Sequence, residues 1–131
     1  MISREDIIRT VDSTGFDYKG IYVFGSQANG TARCDSDWDI AILRHKGFSA
    51  IELWKLYTAF VKYDLKVDIV DLYKANTVLQ NEVVSHGKLI RTKDQYYCDV
   101  FENKTKTIYE DFIIMTKDLY DDIVSRGNVY G

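Results

Sequence analysis

Residues 22–43 read YVFGSQANGTARCDSDWDIAIL, and the fold turns on this stretch. It opens on an apolar, β-branched and aromatic run, Gly20 to Phe24, that predicts a buried strand. The run stops at Gly25-Ser26, a short helix is expected over Ser26–Asn29 with Gly30 as its stop, and a second strand over Trp38–Leu43. Two loop patterns fail here. A Walker A loop needs a Lys that GSQANGT, residues 25–31, does not have. An EF-hand fits Asp35, Asp37 and Asp39 but puts Ile40 at its glycine position and Lys46 at its terminal glutamate.

The pattern that does fit is G-S-x10-D-x-D, carried by Gly25, Ser26, Asp37 and Asp39. Residues i and i+2 of a strand share a face about 6–7 Å apart, so the two carboxylates are placed to hold divalent cations together. Gly25 permits a tight turn at the strand end. Ser26 opens a helix whose first N–H groups have no intrahelical acceptor, a seat for phosphate. A third carboxylate is expected from the strand KVDIVDL, residues 66–72. Asp68 and Asp71 are three apart and face opposite ways; Asp68 is preferred, because a mid-strand charge is costly without a cation, whereas Asp71 near the strand end suits a turn or cap.

Outward from this centre the chain alternates helices and strands. Residues 3–13 predict a helix capped by Ser3. Ser49-Ala-Ile-Glu52 is a capping box opening a helix to about Tyr63, with Trp54 and Phe60 expected in the core. A helix over 76–85 stops at Gly87, and 88–91 reads as a short edge strand. Thr92-Lys-Asp-Gln95 reads as a second capping box, followed by apolar residues at helical spacing to about Arg126, as one helix or as two broken near 103–107. This order argues one sheet with helices packed on it, in one domain over 1–131: a core of about 18–91 and a helical segment of about 93–126.

Composition bounds the function. The 131 residues make one domain able to bury roughly two-thirds of its unfolded surface. A net charge of −3 argues against general nucleic-acid coating. No apolar run is long enough to cross a membrane and no signal-peptide core opens the chain, so the expectation is a cytoplasmic protein with Cys34 and Cys98 as reduced thiols. His45 and His86 stand alone and read as surface residues. Asp35 reads as a turn former, and Cys34 as a passive loop residue.

The motif Gly25-Ser26, Asp37-x-Asp39 and the later aspartate strand resemble the DNA polymerase β-type nucleotidyltransferase superfamily, and the short chain resembles its minimal, MNT-type members. The resemblance covers residues 21–72 specifically and the rest loosely. It implies an α+β fold with a mixed sheet flanked by helices and a long C-terminal helical tail. It implies that Asp37, Asp39 and Asp68 bind two Mg²⁺, that Gly25 and Ser26 hold the β/γ-phosphates of ATP with Ser36 adding a contact, and that AMP is transferred to a hydroxyl. MNT-type proteins commonly pair with a HEPN-domain RNase toxin; a tyrosine of that toxin is the implied acceptor, making this chain its antitoxin. Many relatives carry basic residues where this chain has Gln27 and Asn29, and Arg33 and Arg44 are the nearby cations expected to compensate. Neutralisation by contact alone is the alternative, and transfer to a small molecule such as an aminoglycoside is the lower one. Base identity and homo- or hetero-oligomeric state leave no signature.

Overall fold

The computed structural model describes residues 2–33, 36–64 and 66–126. Four strands and five α-helices alternate: α1 Arg4–Ser13, β1 Gly20–Phe24, α2 Ser26–Asn29, β2 Trp38–Leu43, α3 Ala50–Ala59, β3 Val67–Asp71, α4 Thr77–His86, β4 Lys88–Thr92 and α5 Gln95–Ser125. The strand order is β3-β2-β1-β4. β1 runs antiparallel to β2 and to β4, and β2 runs parallel to β3. The sheet is therefore mixed, as the resemblance implies.

Both faces of the sheet are covered, which is why its central strands read as nearly continuous apolar runs. Ile21, Val23, Ile40, Ile42 and Ile69 face α1 and α3 and meet Ile7, Val11, Leu56 and Phe60. Tyr22, Ala41 and Leu43 face the other way, toward Val83 of α4 and Cys98 of α5. The second face is the one on which Asp39 and Asp68 lie, by the two-residue alternation of their strands.

Local signals set most of the boundaries. The Ser3 hydroxyl accepts from the Asp6 N–H at 3.1 Å while the Asp6 carboxylate accepts from the Ser3 N–H at 2.9 Å, closing a capping box on α1. Ser49 and Glu52 do the same for α3. Four expectations are corrected. The α-helix opened by Ser49 ends at Ala59, and the chain goes on to Tyr63 as a 3-10 turn that reverses it toward β3. The box at Thr92 does not form: Thr92 closes β4, and the cap of α5 is Asp94, whose carboxylate accepts from the Tyr97 N–H at 3.0 Å. Trp54 is 66% exposed, on the solvent side of α3. Arg44 is buried, which removes it from any phosphate-binding role. Its guanidinium makes a two-pronged contact with Glu52 at 3.1 Å to each oxygen, and lies over the Phe48 ring. Of the two readings of the tail, the single helix holds: α5 is unbroken over 31 residues.

Candidate active site

Three elements end at one corner of the sheet. The parallel register of β2 and β3 sets Asp39 directly opposite Asp68. The antiparallel register of β1 and β2 sets Phe24 opposite Asp39, so the chain leaves β1 into Gly25-Ser26 beside the same carboxylate. Gly25 has φ +69 and ψ −149, a region essentially reserved for glycine. Its missing side chain has a second meaning: a Cβ there would collide with Oδ2 of Asp39. The G and the second D of the motif are thus one packing unit, in which the carboxylate occupies the space a side chain would take.

Asp37 precedes β2 and is exposed, as is Asp68; Asp39 is half-buried. Burial holds the Asp39 carboxyl above its ordinary range, and the charges of Asp68 and Asp37 push it further the same way. Among the described residues none of the three is ion-paired with a Lys or Arg. A half-buried carboxylate facing acidic neighbours and no base is the electrostatic setting in which a hard, oxygen-seeking cation binds. The donor set therefore fits Mg²⁺. Among the described residues no three acidic, His or Cys side chains stand close enough together to hold a metal ion as a ready-made cluster.

Tyr57 of α3 is a member of this corner that the sequence hid within an apolar helix face. Its hydroxyl lies 3.3 Å from Asp68 Oδ1 and accepts from the Ile69 N–H at 3.0 Å. Burial raises the phenol above its ordinary range, so it stays protonated and can donate to Asp68. Asp71 is elsewhere: it lies opposite Ile42, and its Oδ2 accepts from the Phe48 N–H at 2.6 Å, fastening the loop after β2.

The loop between α2 and β2 is braced by its own polar side chains. Gln27 donates to the Ser36 carbonyl at 3.4 Å, and Asn29 Oδ1 accepts from the N–H of Thr31 at 3.1 Å and from its hydroxyl at 2.6 Å. The Ser36 hydroxyl accepts from the Arg33 N–H at 2.8 Å. The two amides that stand in place of basic residues therefore hold the loop rather than add charge. Arg33 is exposed in this loop and borders a recess with Lys62 and Lys66. Cys34 and Asp35 lie outside the described residues. His45 and His86 are exposed, as expected.

Comparison with known proteins settles the family. Residues 5–96 match the family model described as polymerase beta, nucleotidyltransferase. The chain belongs to this nucleotidyltransferase family. It is 35% identical over 107 residues to the protein adenylyltransferase MntA of Shewanella oneidensis, covering 81% of this chain and 76% of that protein. Among solved structures it is similar to a toxin–antitoxin with AMP-PNP, with a TM-score of 0.79 and 31% identity over 94% of this chain and 99% of that one. It is also similar to a complex of a tri-AMPylated Shewanella oneidensis HEPN toxin with its MNT antitoxin, with a TM-score of 0.73 and 30% identity over 92% of this chain and 95% of that one. These family members keep both the nucleotidyltransferase body and a chain of nearly the same extent. No helix of the described residues is long and apolar enough to cross a membrane.

Proposed function

We infer that this chain is a Mg²⁺-dependent adenylyltransferase that moves AMP from ATP onto a tyrosine hydroxyl of a cognate HEPN-type toxin, and so acts as its antitoxin. The observation that carries the reading is the register of Asp39 against Asp68, beside Gly25-Ser26. In this reading Asp37, Asp39 and Asp68 hold the metal. When bound, Mg²⁺ supplies charge neutralisation for the triphosphate and lowers the pKa of the attacking hydroxyl. The Ser26 hydroxyl and the free N–H groups at the start of α2 bind the β- and γ-phosphates, with Ser36 beside them. The bond formed joins the acceptor oxygen to the α-phosphorus; the bond broken releases pyrophosphate. Tyr57 is a positioning residue: its hydroxyl engages Asp68 Oδ1 and so steadies the carboxylate that would take the hydroxyl proton. Use of ATP as donor is what supports a cytoplasmic setting in this reading.

Incubation of the chain with Mg²⁺, each NTP and the HEPN-domain protein encoded beside it, followed by intact-mass measurement, tests this. An AMP adduct on the toxin is expected with ATP; no adduct with any NTP overturns the reading. A second reading, neutralisation by contact alone, is favoured by one observation: Gln27 and Asn29 bring no charge to the phosphate loop. It predicts that a folded Asp39→Ala variant still protects cells from the toxin.

A further inference from the structure

Among the described residues, the far half of α5 has no partner within the chain. From Ile108 onward it leaves the body and runs about 27 Å, at 1.5 Å per residue over residues 108–125. Phe112 is 38% exposed, Leu119 61% and Met115 65%. Projected at 100° per residue, the apolar side chains from Met115 and Ile108 round to Ile113 and Val124 fill about half the circumference, and Ile114 alone falls on the other side. A helix whose apolar stripe exceeds roughly 100° is one built to be buried.

This face is continuous with the body. Phe101, Thr105, Ile108, Phe112, Met115 and Leu119 follow one another at steps of 4, 3, 4, 3 and 4, the spacing of a helix-packing seam. Its inner end lies in an apolar groove of about 340 Å³ that Phe101, Thr105 and Ile108 share with Tyr73 and Tyr97. That groove is on the α4–α5 side of the sheet, the side that carries Asp39 and Asp68.

Charge selects the occupant. Residues 108–126 carry Glu110, Asp111, Asp118, Asp121 and Asp122 against Lys117 and Arg126, a net of −3, with Arg126 paired to Asp122 at 3.2 Å. In the same projection Asp111 and Asp122 border the apolar face on its Met115 edge. A second copy paired along this seam would set acidic edge against acidic edge, and a half-cylinder is wider than the two-in-seven seam that one symmetric helix covers. The fit is to a different chain: a helical surface with an apolar trough rimmed by Lys and Arg.

We propose that the groove and the exposed half of α5 form one docking strip for the HEPN-type toxin, holding it so that its acceptor hydroxyl reaches the Asp39–Asp68 corner. The inference rests on the adenylyltransferase reading for the identity of the partner. Solved relatives that match over 92–94% of this chain are toxin–antitoxin complexes.

The test is the triple variant Phe112→Gln, Met115→Gln, Leu119→Gln, which keeps helix-forming side chains and touches no buried position. With the HEPN-domain protein encoded beside this chain as the probe, affinity by calorimetry should fall at least a hundredfold. Adduct formation should fall at low toxin concentration and recover at high concentration, a KM effect with kcat retained. Circular dichroism should be unchanged. Asp111→Asn with Asp122→Asn should slow association and flatten its salt dependence. Wild-type affinity in the triple variant overturns the proposal. So does a wild-type chain that sediments alone as a dimer and becomes monomeric in the triple variant, which would give the face to a second copy. If the wild-type complex forms, is lost in the triple variant and yields no adduct, docking stands and the transfer reading fails.

Discussion

The body and the far half of α5 handle apolar surface in opposite ways. In the body, Ile21, Ile40, Ile42 and Leu56 have no exposure at all, and three carboxylates, Asp37, Asp39 and Asp68, meet at one corner with Asp39 half-buried among them. Beyond Ile108, every residue of α5 except Tyr109 is exposed, although the stretch is as rich in large apolar side chains as a core helix. The body is a finished object that carries chemistry. The tail leaves its apolar face exposed, and the docking proposal gives that face to another molecule. On the docking proposal, the site and the means of choosing an acceptor occupy separate regions, and each can be damaged without the other.

The largest separation is expected in catalysis. Asp39→Ala should lower AMP transfer by on the order of a thousandfold or more, because it removes several kcal/mol of charge stabilisation at the reacting phosphate. Toxin binding should be unchanged, since Asp39 is not among the residues of the groove or the α5 strip. Intact mass and calorimetry on the same variant check both halves. A loss of binding equal to the loss of transfer would merge the two regions into one.

Stability should divide along the same line. Ile40→Ala opens a cavity between β2 and α3 and should cost about 2–5 kcal/mol in urea unfolding. Leu119→Ala, on the exposed tail, should stay within about 0.5 kcal/mol in the isolated chain. In the toxin complex the Leu119 variant should become the costlier of the two for association.

The two regions were also unequally legible in the sequence. All four strands and the helix order follow from apolar runs and turn residues, because local periodicity and burial agree there. The G-S-x10-D-x-D spacing located the corner, because strand alternation and register turn spacing into proximity. Alternation separated Asp68 from Asp71 by face, but the mid-strand cost argued for Asp68 does not apply, since Asp68 is exposed; what sets it beside Asp39 is the parallel register of β2 and β3. What the sequence hid depends on contacts between distant segments. Tyr57 looks like one more apolar helix residue until α3 lies against β3. Trp54 looks like core until the helix is rotated. Arg44 looks available until Glu52 folds back onto it. The Thr92 box failed because the strand ladder with β1 claimed Thr92 first, leaving the cap to Asp94. The tail's helical period was plain, but whether its face is covered is decided by a partner, and no single chain encodes that.

Gly25→Ala should show how tightly the body's corner is set. The left-handed φ costs about 1–3 kcal/mol for any other residue, and the new Cβ would drive Asp39 from its place. Unfolding should therefore shift by that amount while transfer falls further than the stability change explains. Gly30 provides the control: it too has positive φ, but a Cβ there meets nothing within 4 Å, so Gly30→Ala should lose stability with transfer kept.

The smallest effect expected, and the most diagnostic of a cation site, is in the pH dependence of Asp39→Asn. The Asp39 carboxyl is raised in the folded chain by burial and by Asp68 and Asp37. A raised carboxyl binds its proton more tightly folded than unfolded, so ionising it destabilises the fold. That penalty is fully present above the folded pKa and vanishes below the ordinary value of 3.8, where both states are protonated. Asn at this position should accordingly raise the melting temperature at neutral pH, and the gain should shrink as pH falls through the raised pKa. Mg²⁺ offsets the same repulsion, so millimolar Mg²⁺ should stabilise the wild type at pH 7 and leave Asp39→Asn nearly unmoved. Asp118→Asn, on the exposed tail, should change stability by no more than about 0.5 kcal/mol, with or without the metal. Equal stabilisation of both variants by Mg²⁺ would mean that the ion acts on the chain's overall negative charge, and the corner would lose its claim to a specific metal.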